Sequence, residues 1–431
     1  MNSFVENVFR AFLDDRIGAK PEEKVDFVRF EGEKNVGELF GLASKMLFGR
    51  IVYVRNNESQ VTESLAIKQT ADVDMESETI YYSMQFVNEI HFFSKLVPTI
   101  STLTNSQYES FFPKFLYSYS KAMPGCNQNV IIYENLRALD FRVATSEKMK
   151  DNLSEKDTDL RAVFPDYTHL SLMMRKLGQF HAHSIAAAKT SPNHFQLVAS
   201  FQLRLHENLF RKYSNLFRVL MRKFIRLLSA NPLYETKLTS IKEIVENLEN
   251  SLSSVNNVNA LSVVSHGDYT VPNVLFKYDK NGVPVDMKIL DLGSWRLSSP
   301  ALDLGHVLYI DADQEMRDRH WDDLMNDYFG GLADVLDDRD LPSRMQIMEE
   351  FRLNSWYAFL VASFFVVDRI AAAKKLPNIF EEISTHHPHV LIANIPTEEL
   401  QKLFEDQDVG GKKATETVLN VIKDMVDREF I

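Results

Sequence analysis

Between two long stretches of helical periodicity, residues 265–304 read SHGDYTVPNVLFKYDKNGVPVDMKILDLGSWRLSSPALDL. The apolar runs at 261–265, 274–278 and 287–290 are too short for helices and are bounded by turn residues, so they read as strands. Each sits next to a polar residue: Asp268, Asn273 and Asp291. Short strands set among long helices must form a hairpin laid on a helical body. That hairpin presents its flanking carboxylates and amide at strand ends, where they are free to act on a ligand.

The rest of the chain divides around this block. Residues 1–16 have a helical period with Phe4, Val8, Phe9 and Phe12 on one face. Strand formers dominate 27–54, ending in IVYV, and a polar turn at 56–59 leads to SLAIKQ at 64–69. Two such runs joined by a short turn predict a hairpin of an antiparallel sheet. The period changes to about 3.6 over 82–96, with Phe86, Ile90, Phe93 and Val97 aligned, and strands return at 115–120 and 130–133. Beyond Glu134 the pattern is helical at 167–189, 193–231, 234–255, 345–373 and 397–430. The expected fold is α+β and bilobal. A small antiparallel-sheet N-terminal lobe spans 1–133, a hinge spans 134–139, and a large helical C-terminal lobe over 140–431 carries the hairpin.

Composition narrows the function classes. A formal net charge of −12 over 431 residues argues against a nucleic-acid partner, which requires a basic field. The single cysteine, Cys126, permits no intrachain disulfide and suits a reducing interior. The N-terminus has no apolar central run, and the apolar stretch 355–367 is too short to span a bilayer. A cytoplasmic protein without a membrane partner is expected.

The spacing then points to a reaction. Phosphoryl transfer needs positioning and charge neutralisation more than covalent chemistry. Asp268 suits the group that receives or orients an acceptor hydroxyl, because a carboxylate stays ionised near neutrality and accepts in several directions. Asn273 and Asp291 offer the oxygen ligands that magnesium prefers. His266 reads as a buried hydrogen-bonder bracing the loop, and Asp303 as a helix cap or a brace of the same loop. Lys68, mid-strand in SLAIKQ, is either a solvated edge cation or the cation that holds nucleotide phosphates, with Glu89 on the next helix as its ion-pair partner. Glu134 to Leu136 would offer main-chain groups to an adenine or simply end a strand. Gly37 and Gly41 are equally turn glycines or a phosphate loop. The aromatic helix 351–365 reads as core, with one face available to wall an apolar acceptor pocket.

On these residues the chain resembles the ecdysteroid kinase-like family, within the protein-kinase-like fold of choline and aminoglycoside phosphotransferases. The resemblance rests on SLAIKQ, FVNEIHFFSKLVP, IIYENL, LGQFHAHS, the 265–304 block and RDRHWDDLMNDYF. It implies that Asp268 is the catalytic base, Asn273 and Asp291 hold Mg2+, Lys68 contacts the phosphates of ATP, and Glu89 pairs with Lys68. It also implies a small-molecule acceptor, an ecdysteroid-like sterol or a xenobiotic alcohol. The chain departs from the family in reading Leu292-Gly293 after the metal aspartate, Pro272 before Asn273, and Leu39 after Gly37-Glu38. A catalytically weak kinase-fold binding protein is the alternative these departures support.

Overall fold

The strand formers of the first third pair into one antiparallel sheet, as a computed structural model describing residues 7–13, 25–33, 44–55, 59–70, 76–120, 129–144, 164–201, 212–255, 257–388, 390, 392–406 and 408–431 establishes. Its strands are β1 (Val25–Gly32), β2 (Ser44–Arg55), β3 (Gln60–Thr70), β4 (Phe115–Tyr119) and β5 (Val130–Glu134). They lie in the order β1-β2-β3-β5-β4. Register pairs Met46 with Lys68 across β2 and β3, and Lys68 with Ile131 across β3 and β5. Side chains alternate along a strand. Leu65 and Ile67 therefore join Val130 and Ile132 on one face, which helix α1 (residues 7–13) covers with Val8, Phe9, Phe12 and Leu13. Ala66, Ile131 and Tyr133 face the other way and pack with Phe86 and Phe93; by the same alternation Lys68 belongs to that second face.

The second face is covered by helix α2 (Glu76–His91). It continues through a π turn, Phe92–Leu96, into α3 (Val97–Thr104) and ends at Asn105 in the left-handed region, φ 46°. The helical pattern read over 82–96 therefore runs eight residues further at its C-terminal end. Pro98 lies in the first turn of α3, directly after the π turn, and the helix continues past it.

The helical lobe is built on α4 (Tyr167–Thr190), α5 (Ser214–Ser229), α6 (Ala301–His306), α7 (Gln314–Ala333), α8 (Arg344–Ala373), α9 (Thr397–Asp406) and α10 (Gly411–Asp427). Three long helices expected from the sequence are broken, among them the 193–231 pattern, where the helix Pro192–Ala199 ends in a turn at Ser200 and Phe201 and Ser214–Ser229 is a separate helix. The 397–430 pattern splits at Gly410 and Gly411, both at positive φ (72° and 75°), a conformation that glycine tolerates and a helix cannot continue. The 234–255 pattern divides into Pro232–Glu235, Thr239–Glu246 and Leu248–Ser254. Helices α4 and α7 touch backbone to backbone: a Cβ on Gly178 would lie 2.1 Å from the Tyr328 carbonyl oxygen. Helix α8 is long and apolar enough to cross a membrane, but 72% of that apolar window is buried inside the lobe. It is the central core helix, with Phe359, Leu360 and Val361 fully enclosed.

Four short strands sit on this body. β6 (Val263–Ser265) pairs with β9 (Arg296–Ser298), and β7 (Val274–Tyr278) pairs with β8 (Pro284–Ile289), each antiparallel. The β7–β8 hairpin faces the sheet of the first lobe, and a bridge between Arg142 and Phe276 joins it to the segment leaving β5.

Candidate active site

A cleft of about 670 Å³ separates the sheet from the β7–β8 hairpin. Met46, Phe48 and Ala66 form its roof and Leu275 and Leu290 its floor. Lys68, Glu89, Glu134, Leu136, Asn273 and Asp291 all line it. Six residues spread over more than two hundred positions thus converge on one cavity. Asp268 stands behind Asn273, whose Nδ2 donates to Asp268 Oδ2 at 2.8 Å and to the Asp268 carbonyl at 2.9 Å. Gly37, Leu39, Gly41 and Cys126 lie outside the described residues.

The charged cluster is tightly organised. Lys68 Nζ donates to Glu89 Oε2 at 2.6 Å and to Asp291 Oδ1 at 2.7 Å. Lys68 and Glu89 are buried, whereas the Asp291 side chain is half exposed to the cleft. Burial lowers the Lys68 pKa, but the Asp291 and Glu89 carboxylates outweigh it and hold the ammonium above its ordinary value. For Asp291, burial pushes the carboxyl up, and the Lys68 charge reverses this and keeps it below the usual range. Asp291 adopts left-handed backbone, φ 59° and ψ 61°, which turns its side chain out of the strand direction and into the cleft. This is a strained position for a non-glycine residue, of the kind that concentrates at functional sites.

Tyr133 completes the cluster by donating its hydroxyl to Glu89 Oε1 at 2.8 Å. Both Glu89 oxygens are therefore engaged, one by the cation and one by the phenol. Asn88, the preceding residue, donates to the carbonyls of Gly293 (2.8 Å) and Trp295 (3.2 Å). Its own carbonyl accepts the Trp295 indole N–H at 2.8 Å. Helix α2 is thereby fastened to the loop that follows Asp291, so the ion pair and the second carboxylate move as one unit.

The Asp268 loop is held from both ends. Asp303, fully buried, accepts the backbone N–H groups of His266 (2.7 Å) and Gly267 (2.9 Å) and faces His181 Nε2 at 3.1 Å. Burial pushes the Asp303 carboxyl up, yet the His181 hydrogen bond and charge, with His266 and His306, hold it well below the usual carboxylate range. His181 contacts the Tyr328 hydroxyl through Nδ1 at 3.0 Å. At the other end Asp311 accepts the Val271 N–H at 2.9 Å and pairs with Arg369 at 2.6 Å.

His266 is fully enclosed; its Nε2 lies 2.8 Å from the Leu290 carbonyl, and its Nδ1 accepts the Asp268 N–H at 3.2 Å. Both ring nitrogens are thus engaged by the backbone of Leu290 and Asp268. The ring is a brace, as the sequence suggested. Gly267 is at φ +83°, and a Cβ there would sit 2.3 Å from the Ser294 carbonyl oxygen. The loop bearing Asp268 and the loop following Asp291 are in backbone contact, and no other residue fits.

Sequence reasoning did not single out Tyr133, Asn88, His181, Asp311 or Arg369. Their partners lie 44, 205, 122, 40 and 58 positions away, so no local spacing signals them. Asp303 announced itself through its place in SSPALDL, as His266 did through its place in SHGD.

No curated protein matches the chain. Among solved structures it is similar to the GDP and kanamycin complex of APH(2")-IIia, at 12% identity and TM-score 0.35, covering 85% of this chain and 93% of that one. It is also similar to spectinomycin phosphotransferase APH(9)-Ia in complex with ADP and spectinomycin, at 12% identity and TM-score 0.34, covering 93% of each chain. A third is an aminoglycoside-3'-phosphotransferase of type VIII, at 14% identity and TM-score 0.32, covering 82% and 99%. Residues 41–340, more than half of the sequence, match the ecdysteroid kinase-like family, a span that opens just before β2, closes just past α7 and encloses the whole charged cluster; the chain belongs to that family.

Proposed function

We propose that this protein is an ATP- and Mg2+-dependent phosphotransferase that phosphorylates a hydroxyl of a small, apolar molecule such as an ecdysteroid-like sterol or a xenobiotic alcohol. The observation that carries the reading is the gathering of Lys68, Glu89, Asn273 and Asp291 on one cleft with Asp268 directly behind it. The adenine would lie between Met46 and Leu290, with Glu134 to Leu136 at its edge, and Lys68 would hold the phosphates.

Asn273 and Asp291 would hold magnesium, whose chemistry is to bridge and neutralise phosphate oxygens. Two hard oxygen donors suit it, and the ion pair of Asp291 Oδ1 with the Lys68 ammonium supports reading this carboxylate as a cation ligand. With its amide nitrogen committed to Asp268, the Asn273 side chain would turn its oxygen to that task, and among the described residues no hydrogen bond holds that oxygen.

Asp268 would orient the acceptor hydroxyl and take its proton as the acceptor oxygen bonds to the γ-phosphorus. The bond from that phosphorus to the β,γ-bridging oxygen breaks, and ADP leaves with the electron pair. The tethers from Asp303 and Asp311 to the backbone hold the carboxylate where the hydroxyl must arrive, an entropic contribution made before the acceptor binds.

Thermal stabilisation by ATP that requires Mg2+ tests nucleotide binding. Transfer of labelled γ-phosphate to a panel of sterols, glycosides and amino alcohols tests the acceptor class. Absence of a magnesium-dependent shift at millimolar ATP would remove the nucleotide reading altogether.

A further inference from the structure

A second cavity, of about 470 Å³, shares no lining residue with the catalytic cleft. It opens between α5, the helix Thr239–Glu246 and α9, and its volume is that of a small-molecule site. Positions 219, 222, 223, 226 and 229 of α5 all line it, as residues three and four apart on a helix share one stripe. The chain as a whole carries a net charge of −12, yet this lining sets Arg222, Lys223, Arg226 and Lys242 against Glu246 and Glu405. The sign of the charge is reversed here.

Two ion pairs brace the walls. Arg222 grips Glu246 through Nε, 2.9 Å from Oε1, and through Nη2. One turn on, Arg226 reaches Glu405 of α9 at 3.1 Å. These pairs neutralise themselves and fasten α5 to both neighbouring helices, which leaves the two lysines. Lys242 has no carboxylate partner among the described residues. Lys223 is deeper, with 8% of its side chain exposed, and its Nζ stands 3.4 Å from Asp408 Oδ1. That oxygen also accepts the Thr415 hydroxyl at 3.0 Å, and the Asp408 side chain is half exposed. Burial lowers the Lys223 pKa, and Asp408 does not make up the difference. In the last turn of α5, Ser229 also lines the cavity, and its Oγ is buried without a hydrogen-bond partner. A buried hydroxyl left unsatisfied calls for a partner outside the chain.

We propose that this cavity is a second ligand site, which binds a phosphate monoester with an apolar body. Lys223, Lys242 and Ser229 would hold the phosphate, and Val219, Ile225 and Val245 would take the body. A phosphate monoester suits this donor set, since it offers three terminal oxygens and carries about two negative charges at neutral pH. Nothing in the proposal depends on the phosphotransfer reading, whose failure would leave the titrations below unchanged.

Calorimetric titration of the full chain with 1-naphthyl phosphate, 1-naphthoate and inorganic phosphate tests it. The naphthyl phosphate is expected to bind with a Kd below about 1 mM, at least about fivefold tighter than either of the others, which lack the second charge or the apolar body. Lys242→Ala should weaken binding about tenfold or more while the unliganded protein melts with the parent, and Lys242→Arg should recover most of the loss. Lys223→Met should weaken binding as much, and Ser229→Ala replaces it in the series if the methionine variant does not fold. Lys68→Met, altered in the catalytic cleft, should bind the probe as the parent does. Absence of binding, parental affinity in Lys242→Ala, or a loss confined to Lys68→Met would overturn the site. Equal affinity for 1-naphthoate would overturn its assignment to a phosphate.

Discussion

Replacing Asp303 by asparagine removes one charge and changes almost no volume, so its effect measures how firmly the Asp268 loop is held. In the parent, Oδ2 accepts from the His266 N–H and faces His181, and Oδ1 accepts from the Gly267 N–H. An asparagine oxygen can serve only one of these positions. Its amide nitrogen then confronts a donor at the other, leaving a buried N–H unmatched while the remaining bonds lose their charge assistance. Charge-assisted bonds contribute about 1.5–3 kcal/mol each, and an unmatched buried donor costs about 1–3 kcal/mol. The sum expected is roughly 3–5 kcal/mol, in line with breaking a buried charged network. At about 1 °C per kcal/mol for a chain of 431 residues, the melting temperature should fall by roughly 3–6 °C.

Hydrogen exchange read by mass spectrometry over the Asp268 loop should accelerate, and a displacement of Asp268 by about 1 Å would lower turnover by about 100-fold. The pH dependence carries a sign. A carboxyl held below its ordinary value stabilises the fold above the unfolded pKa of about 3.9 and ceases to do so as pH falls toward the folded value. The gap in melting temperature between parent and Asp303→Asn should therefore narrow below about pH 4. A variant that melts with the parent at pH 7, and whose loop exchanges no faster, would refute the bracing role.

Lys68→Met should leave the protein folded at neutral pH, because burial already pushes the Glu89 carboxyl up and the Tyr133 hydroxyl remains its partner; KM for ATP should rise about tenfold or more, as steady-state kinetics would reveal. In Asp291→Ala the response of ATP binding to Mg2+ should disappear in calorimetric titrations, while an unaltered response would exclude Asp291 as a ligand. Gly267→Ala places a Cβ against the Ser294 carbonyl at a backbone angle alanine disfavours; it should melt several degrees lower than the parent and lose most of its turnover, and a parental melting curve would contradict the contact.

Much of this site could be read in the chain because its chemistry is local. Asp268, Asn273 and Asp291 declare themselves through a turn, a five-residue return and a strand end, and SLAIKQ places Lys68 on the same face as Ala66 by alternation alone. Asp303 was readable as a brace from its position before an apolar helix. Tyr133, His181 and Asp311 were not, since each acts through a partner that only the tertiary fold brings near. The same limit applies to the helices: the 397–430 pattern keeps its period through Gly410-Gly411, and only the positive φ angles reveal the break.

The central claim is that Asp268 serves phosphoryl transfer in a cleft organised by Lys68, Glu89 and Asp291. Its most direct test compares parent and Asp268→Asn for transfer of labelled γ-phosphate from Mg·ATP, with ATP affinity measured in both. The account predicts unchanged ATP affinity and a loss of transfer of at least about 1000-fold in the variant, combining the base's share with the loss of hydroxyl orientation. Transfer at the parental rate by a folded, ATP-binding Asp268→Asn protein would contradict it.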